Sequence, residues 1–421
     1  MKPRLIRVLM AFALFIAGAT AVHALPAQPQ CGENNGVAAT GTPIIIGAIT
    51  GKTGPDDFSS ATKAAQAYFA CVNANGGIHG RPIKYIVKDD QWNPQLASQL
   101  ANLLVNDDKA VAMIGNSSFV ECSVNREFYA QNGIAVIAGV GVPHDCFYMK
   151  NYVPTNAGPR ISTTSVMQYA MENLHAKSFV CIGPDIPGVG EWGCGGVVDL
   201  AKQKGYPAHV IIMNTASPDF TSIILQAMSY KPDAIISQLP KGLTVPLLNA
   251  ADNQGLAGKI PFLSAASAYD ASVPAALGPD WNGNFYSSME FNAVDSQGPD
   301  NQNWLAIMNK YGESSDPRDT FSQGGYLAAE IATQVLLSLP ANNISRASFL
   351  QAVAKVNDFK SDILSAPWYF DENATHHNPN HYTGVSIIQN GKWKQILSGQ
   401  PSEDPGLADI WAYEKKMGIH Q

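Results

Sequence analysis

Charge is scarce in this sequence. Only 14% of its 421 residues are Asp, Glu, Lys or Arg, the formal balance is −7, and no Lys/Arg cluster follows the first few positions. Nucleic acid, which needs a basic face, is therefore a poor partner. Beyond the amino terminus no apolar run approaches the ~20 residues that a membrane-spanning helix requires. There is no nucleophile elbow, no Ser/His/Asp set in a motif context and no framed pair of carboxylates, so no enzymatic chemistry and no cofactor are expected. Asp89 and Asp90 are adjacent at a strand end and face opposite sides, so Asp90 is expected to order the next turn, not to act as acid or base. Cysteine is limited to six residues. Cys122 with Cys146 and Cys181 with Cys194, each joined by a short stretch of chain, are the preferred pairs, which leaves Cys31 with Cys71; six buried free thiols are the alternative.

What is present is apolar: 46% of the residues, over a chain too long for one hydrophobic core, which predicts two lobes. Lys2, Arg4 and Arg7 precede an apolar run from Val8 to Ala21, and Val22-His23-Ala24 ends it with small residues where signal peptidase cuts. Residues 1–24 are expected to be a signal peptide, and the mature protein to be soluble and periplasmic. Cys31 follows Pro29-Gln30 and not an acylation box, so no lipid anchor is expected.

From residue 42 onward, β-branched runs alternate with helical periodicity, the signature of parallel βαβ units. Strands are predicted at Ile44–Ile49, Ile83–Val87, Ala110–Ile114 and Ile134–Ala138, with Ala61, Ala64, Ala65, Tyr68 and Val72 marking one helix. An irregular stretch, Tyr148–Gly158, reads as a crossing, after which the pattern restarts with strands at Ser178–Ile182, His209–Met213 and Ala234–Ser237. Three helices near Asn301–Tyr311, Gly324–Leu339 and Ser345–Val356 fit a return to the first sheet, and Asn390-Gly391 between two apolar runs marks a hairpin.

The stretch Val72-Asn73-Ala74-Asn75-Gly76-Gly77-Ile78-His79-Gly80-Arg81-Pro82-Ile83, leading through a strand to Asp89-Asp90-Gln91-Trp92-Asn93-Pro94, resembles the type I periplasmic solute-binding proteins of ABC importers, in the leucine/isoleucine/valine-binding class. Thr53-Gly54-Pro55, Ile114-Gly115-Asn116-Ser117-Ser118, Gly139-Val140-Gly141, Gly190-Glu191 and Asp316-Pro317 support it. The resemblance implies an α/β fold of two doubly wound, Rossmann-like lobes joined by a three-segment hinge, a small organic ligand in the cleft, a membrane permease as partner, and a monomer. The expected division is an extension at 25–41, a first lobe at 42–155 plus 286–365, a second at 156–285 plus 366–400, and a tail at 401–421.

Ligands of open parallel sheets bind beyond the carboxyl ends of strands. On that ground Ser117, Ser118 and the backbone of Val140 and Gly141 are expected donors; Phe58, Trp92, Phe119, Tyr269 and Phe321 are candidate apolar walls, and the resemblance makes Val189, Trp192, Gln238 and Ala266 the second lobe's contribution. The chain departs from the family pattern in two ways. Trp92 and Ser118 stand where the family has a disulfide, and Phe119 replaces a hydroxyl. Ala266 stands where amino-acid binders carry the glutamate that accepts the ligand's ammonium, so an aromatic or aliphatic carboxylate is expected unless Asp270 or Glu191 reaches in. The alternatives are a branched-chain or other amino-acid binder and a ligand-binding sensor feeding a signalling partner. Gly188-Val189-Gly190-Glu191-Trp192-Gly193 spells a dinucleotide fingerprint, but its first Gly lies well past the strand and no ribose-binding acid follows, so a nucleotide enzyme is disfavoured. His376, His377 and His381 with Asp371 are expected in a solvated loop, not around a metal.

Overall fold

The computed structural model describes residues 28–371 and 376–419, so the expected signal peptide lies outside the described residues. Two sheets organise the chain. The first holds β1 (Ile44–Thr50), β2 (Ile83–Asp89), β3 (Ala112–Ile114), β4 (Val136–Ala138) and β5 (Tyr152–Pro154) in the order β2-β1-β3-β4-β5, all parallel. The second holds β6 (Phe179–Pro184), β7 (Ala208–Met213), β8 (Ala234–Ser237), β9 (Phe262–Ser264) and β10 (Phe285–Met289), then β11 (Tyr382–Gln389) and β12 (Lys392–Pro401), in the order β12-β11-β10-β9-β8-β6-β7. Its five parallel strands repeat the order of the first sheet, and the antiparallel β11-β12 hairpin covers the β10 edge.

These elements follow from the residues. β1 is a β-branched run buried on both faces, as a strand between helix layers must be. The helix Ser60–Ala74 is alanine-rich on its buried side, and the helix Thr320–Ser338 lies on it so closely that a Cβ on Gly325 would sit 1.9 Å from the Ala61 carbonyl oxygen. Only glycine permits that approach. The helix Pro299–Tyr311 joins the same layer, so the chain does return to the first sheet after β10.

The crossings fall elsewhere than expected. Residues 286–289 pair with β9 and β11 and stay in the second lobe, so the return begins at Glu290. Trp368 and Phe370 are buried in the first lobe's core, which extends that lobe past 365 to the third crossing. Within that crossing His376, His377 and His381 are 6%, 1% and 0% exposed, a correction to the solvated loop expected there. The tail carries a helix, Ala408–Met417, whose Ile410 packs with Leu407 on Ile161 of the second lobe. Three disulfides join Cys31 to Cys71, Cys122 to Cys146 and Cys181 to Cys194. Among the described residues no helix is long and apolar enough to cross a membrane, and no group of His, Cys, Asp and Glu is arranged to hold a metal.

Candidate functional site

The carboxyl ends of the two sheets face each other across a cleft. From the first lobe come Phe58 after β1, Phe119 after β3, Val140, Gly141 and Val142 after β4, and Asn156 after β5. The second answers with Gln238 and Pro240 after β8, Ala265, Ala266 and Ser267 after β9, and Glu290 after β10. Pro159 and Ser162 from the helix Gly158–Asn173 and Phe321 from the first turn of Thr320–Ser338 complete it. The pocket holds about 390 Å3 of space between atoms. The lobes are close together.

Three phenylalanines form one wall. Phe58 meets Phe119 edge-on at 4.8 Å between ring centroids and Phe321 at 5.1 Å. Trp92 is stacked behind Phe119 and outside the cleft lining, its indole N–H donating to the Asp56 carbonyl at 3.2 Å. Asp90 orders this turn by accepting the Trp92 amide at 3.0 Å, while Asp89 accepts the Gln91 amide at 3.0 Å, and both Gln91 and Trp92 lie in the left-handed region.

The expected donors are already engaged. Ser117 donates to the Phe58 carbonyl at 2.8 Å, fixing that ring's backbone, and is 0% exposed. Ser118 donates to Asp90 and accepts the Val120 and Glu121 amides at 3.1 Å, so it caps the helix Glu121–Gln131. The Val140 amide donates to the Asn116 carbonyl at 3.0 Å and the Gly141 amide to Asn156 Oδ1 at 2.7 Å. The donor reading of all four is thereby corrected: β-loop amides are satisfied within the fold because a buried N–H left open is costly.

The second lobe's residues divide. Gln238 and Ala266 line the cleft. Val189 is buried behind Phe58 and Phe119, Tyr269 lines the adjoining mouth, and Trp192 packs instead on Phe147 and His144 of the first lobe. The glycines of the dinucleotide-like run have packing roles: Gly190 abuts Pro184, and a Cβ on Gly193 would strike the Gln238 side chain.

Glu290 was missed in the sequence. It is 4% exposed, lines the cleft, and accepts the Gly158 amide at 2.7 Å, Ser162 Oγ at 2.9 Å and Asn156 Nδ2 at 3.3 Å. Burial pushes its carboxyl above the ordinary range, with the Ser162, Asn156 and Gly158 bonds opposing. Its own carbonyl accepts Asn380 Nδ2 at 2.9 Å, and Asn380 also donates to Thr155. One residue thus touches all three crossings. Ala266 leaves bare the wall where the family's glutamate would stand, while Glu290, an acid not anticipated from the sequence, supplies a carboxyl on another.

At the mouth, Lys241 pairs with Asp270 at 2.9 Å, and Asp56 of the first lobe accepts the Gly242 amide of the second at 3.4 Å. Burial raises Asp56. Burial also acts upward on Asp270, but bonds from Ser272 and Lys241 outweigh it and hold that carboxyl below the ordinary value. Lys241 is the one cation among the described residues lining cleft and mouth.

A family model described as periplasmic binding protein matches residues 43–392. A Pseudomonas aeruginosa protein named amino acid binding protein is 31% identical over 102 residues, 23% of this chain and 27% of that one, so the match spans about a quarter of that relative. The solved fatty acid ABC transporter substrate-binding protein from Thermomonospora curvata superposes with a TM-score of 0.77 at 20% identity, covering 89% of this chain and 95% of that one. A Rhodopseudomonas palustris solute binding protein in complex with 4-hydroxybenzoate gives 0.75 at 19%, covering 87% and 100%. A leucine binding protein from Thermotoga maritima gives 0.71 at 15%, covering 85% and 99%. The chain belongs to the periplasmic binding protein family and has its type I two-lobed fold, the fold of the leucine/isoleucine/valine-binding proteins.

Proposed function

We propose that this protein is the extracytoplasmic receptor of an ABC importer, closing as a monomer on a small organic acid with an aromatic or aliphatic body and presenting it to a membrane permease without transforming it. The observation that carries this reading is the wall of Phe58, Phe119 and Phe321 facing Ala265 and Ala266 across two lobes brought close together. Such a wall suits an apolar body, whose burial contributes about 25 cal/mol per Å2. Closure needs only that the solute bind the closed form better than the open one. In this reading the acid end is assigned to Lys241, the one cation among the described residues at the mouth. Fold neighbours named for a fatty acid, 4-hydroxybenzoate and leucine support a ligand of this size. Glu290 favours a second reading, an amino acid whose ammonium meets that carboxyl.

The test is a thermal-shift and equilibrium-binding screen with benzoate, 4-hydroxybenzoate, octanoate, phenylalanine and leucine. A ligand at a hundred times its Kd adds about 2.7 kcal/mol of stability. Stabilisation by an aromatic or aliphatic acid, with the ligand recovered intact, is expected; silence across the panel, or turnover of a hit, overturns the proposal.

A further inference from the structure

We infer that Glu290 reads the end of the ligand that faces the crossings, and that this end carries a hydrogen-bond donor, a hydroxyl or an ammonium. The inference rests on the cleft proposed above and names a chemistry within it. Glu290 Oε1 is well supplied, by Gly158 and Ser162, whereas Oε2 takes a single 3.3 Å contact from Asn156 Nδ2, a group also bonded to the Gly141 carbonyl. An ionised carboxylate accepts about four hydrogen bonds, so Oε2 keeps capacity on a residue that lines the cleft.

Gln238 lines the same pocket without sharing this role, because its side-chain oxygen is pressed onto Gly193, where an added Cβ would lie 1.9 Å from it. Among the described residues of this pocket there is no Lys, Arg or His to compete for Oε2. A carboxylate turned to this end would meet the Glu290 carboxyl, and a bare hydrocarbon end would leave Oε2 unfilled. Because Glu290 is also bonded to the first and third crossings, a ligand seated there is joined directly to the segments that bend.

The experiment compares matched pairs that differ in one donor: 4-hydroxybenzoate with benzoate, phenylalanine with 3-phenylpropanoate, and leucine with 4-methylpentanoate. Wild-type protein is expected to prefer the donor-bearing member of at least one pair by about tenfold, and Glu290→Gln to reduce that ratio to about threefold or less. Equal binding within every pair overturns the inference while leaving the proposed function standing. Silence from all six compounds overturns both. Were Glu290→Gln to weaken both members alike and preserve the ratio, the residue would be a brace for the crossings alone, and the inference would fall. Gln238→Leu, which spares the crossing network, is read in the opposite sense: an unchanged ratio there beside a reduced one in Glu290→Gln supports the inference, and a ratio reduced only in Gln238→Leu overturns it.

Discussion

Trp92 lies flat on Phe119, ring centroids 4.2 Å apart and planes inclined by 13°. The indole stands outside the lining and steadies the wall from behind. Trp92→Ala is expected to weaken ligand binding about threefold to tenfold, the equivalent of one aromatic pair. Trp92→Phe should restore most of it, since a ring remains to stack. Isothermal titration checks both; unchanged affinity in the alanine variant removes Trp92 from the wall.

Gly325 is the point at which Thr320–Ser338 touches Ser60–Ala74, and Gly139 approaches the same glycine from the β4 loop. Gly325→Ala should cost at least about 1–3 kcal/mol by overpacking and should shift Phe321, one turn earlier, out of the cleft. Urea denaturation measures the first effect and ligand affinity the second.

The disulfides close chain separations of 40, 24 and 13 residues. Chain-entropy scaling predicts that replacing Cys31 and Cys71 together costs about 4 kcal/mol and replacing Cys181 and Cys194 about 3 kcal/mol. Denaturation curves with and without reductant test this ordering.

Glu121 is buried beneath the first lobe with Tyr129 and Tyr152 hydroxyls at 2.9 and 3.3 Å, and Asn116 beside it. Burial pushes its carboxyl from 4.5 up to about 8, against the Tyr129 and Asn116 bonds. Between those values the folded chain holds a proton that the unfolded chain releases. Its contribution to stability is therefore complete below 4.5 and declines as pH rises toward 8. Glu121→Gln should flatten the wild-type fall in Tm across this window, as followed by differential scanning calorimetry.

At the mouth, Asp56 reaches Gly242 across the lobes. Asp56→Ala should move the unliganded population toward the open form and weaken binding a few-fold, visible as a larger radius of gyration in X-ray scattering. An unchanged radius would exclude this contact as a closing element.

Periodicity made the first lobe legible because its strands are β-branched runs such as Ile44–Thr50, and Asn390-Gly391 marked the hairpin between β11 and β12. β10 was hidden because Phe-Tyr-Ser-Ser-Met lacks the apolar continuity of a buried strand. The structure tolerates its serines by bonding, with Ser287 Oγ donating to the Ala265 carbonyl at 3.2 Å. With the strand unseen, Glu290 at its carboxyl end could not be placed by the strand-end rule that found Phe119 and Gln238. The serines failed for another reason. Ser117 and Ser118 do follow β3, but sequence cannot say whether a hydroxyl turns to the cleft or back into the fold, and here both turn back, Ser117 to Phe58 and Ser118 to Asp90 and the amides after it.

Three lengths of chain run side by side between the lobes, cross-tied by Asn380 and Glu290. A single tether would let one lobe twist freely about it; three parallel ones forbid twisting and leave a single bend. In the function proposed, opening and closing would then be confined to something like the covers of a book.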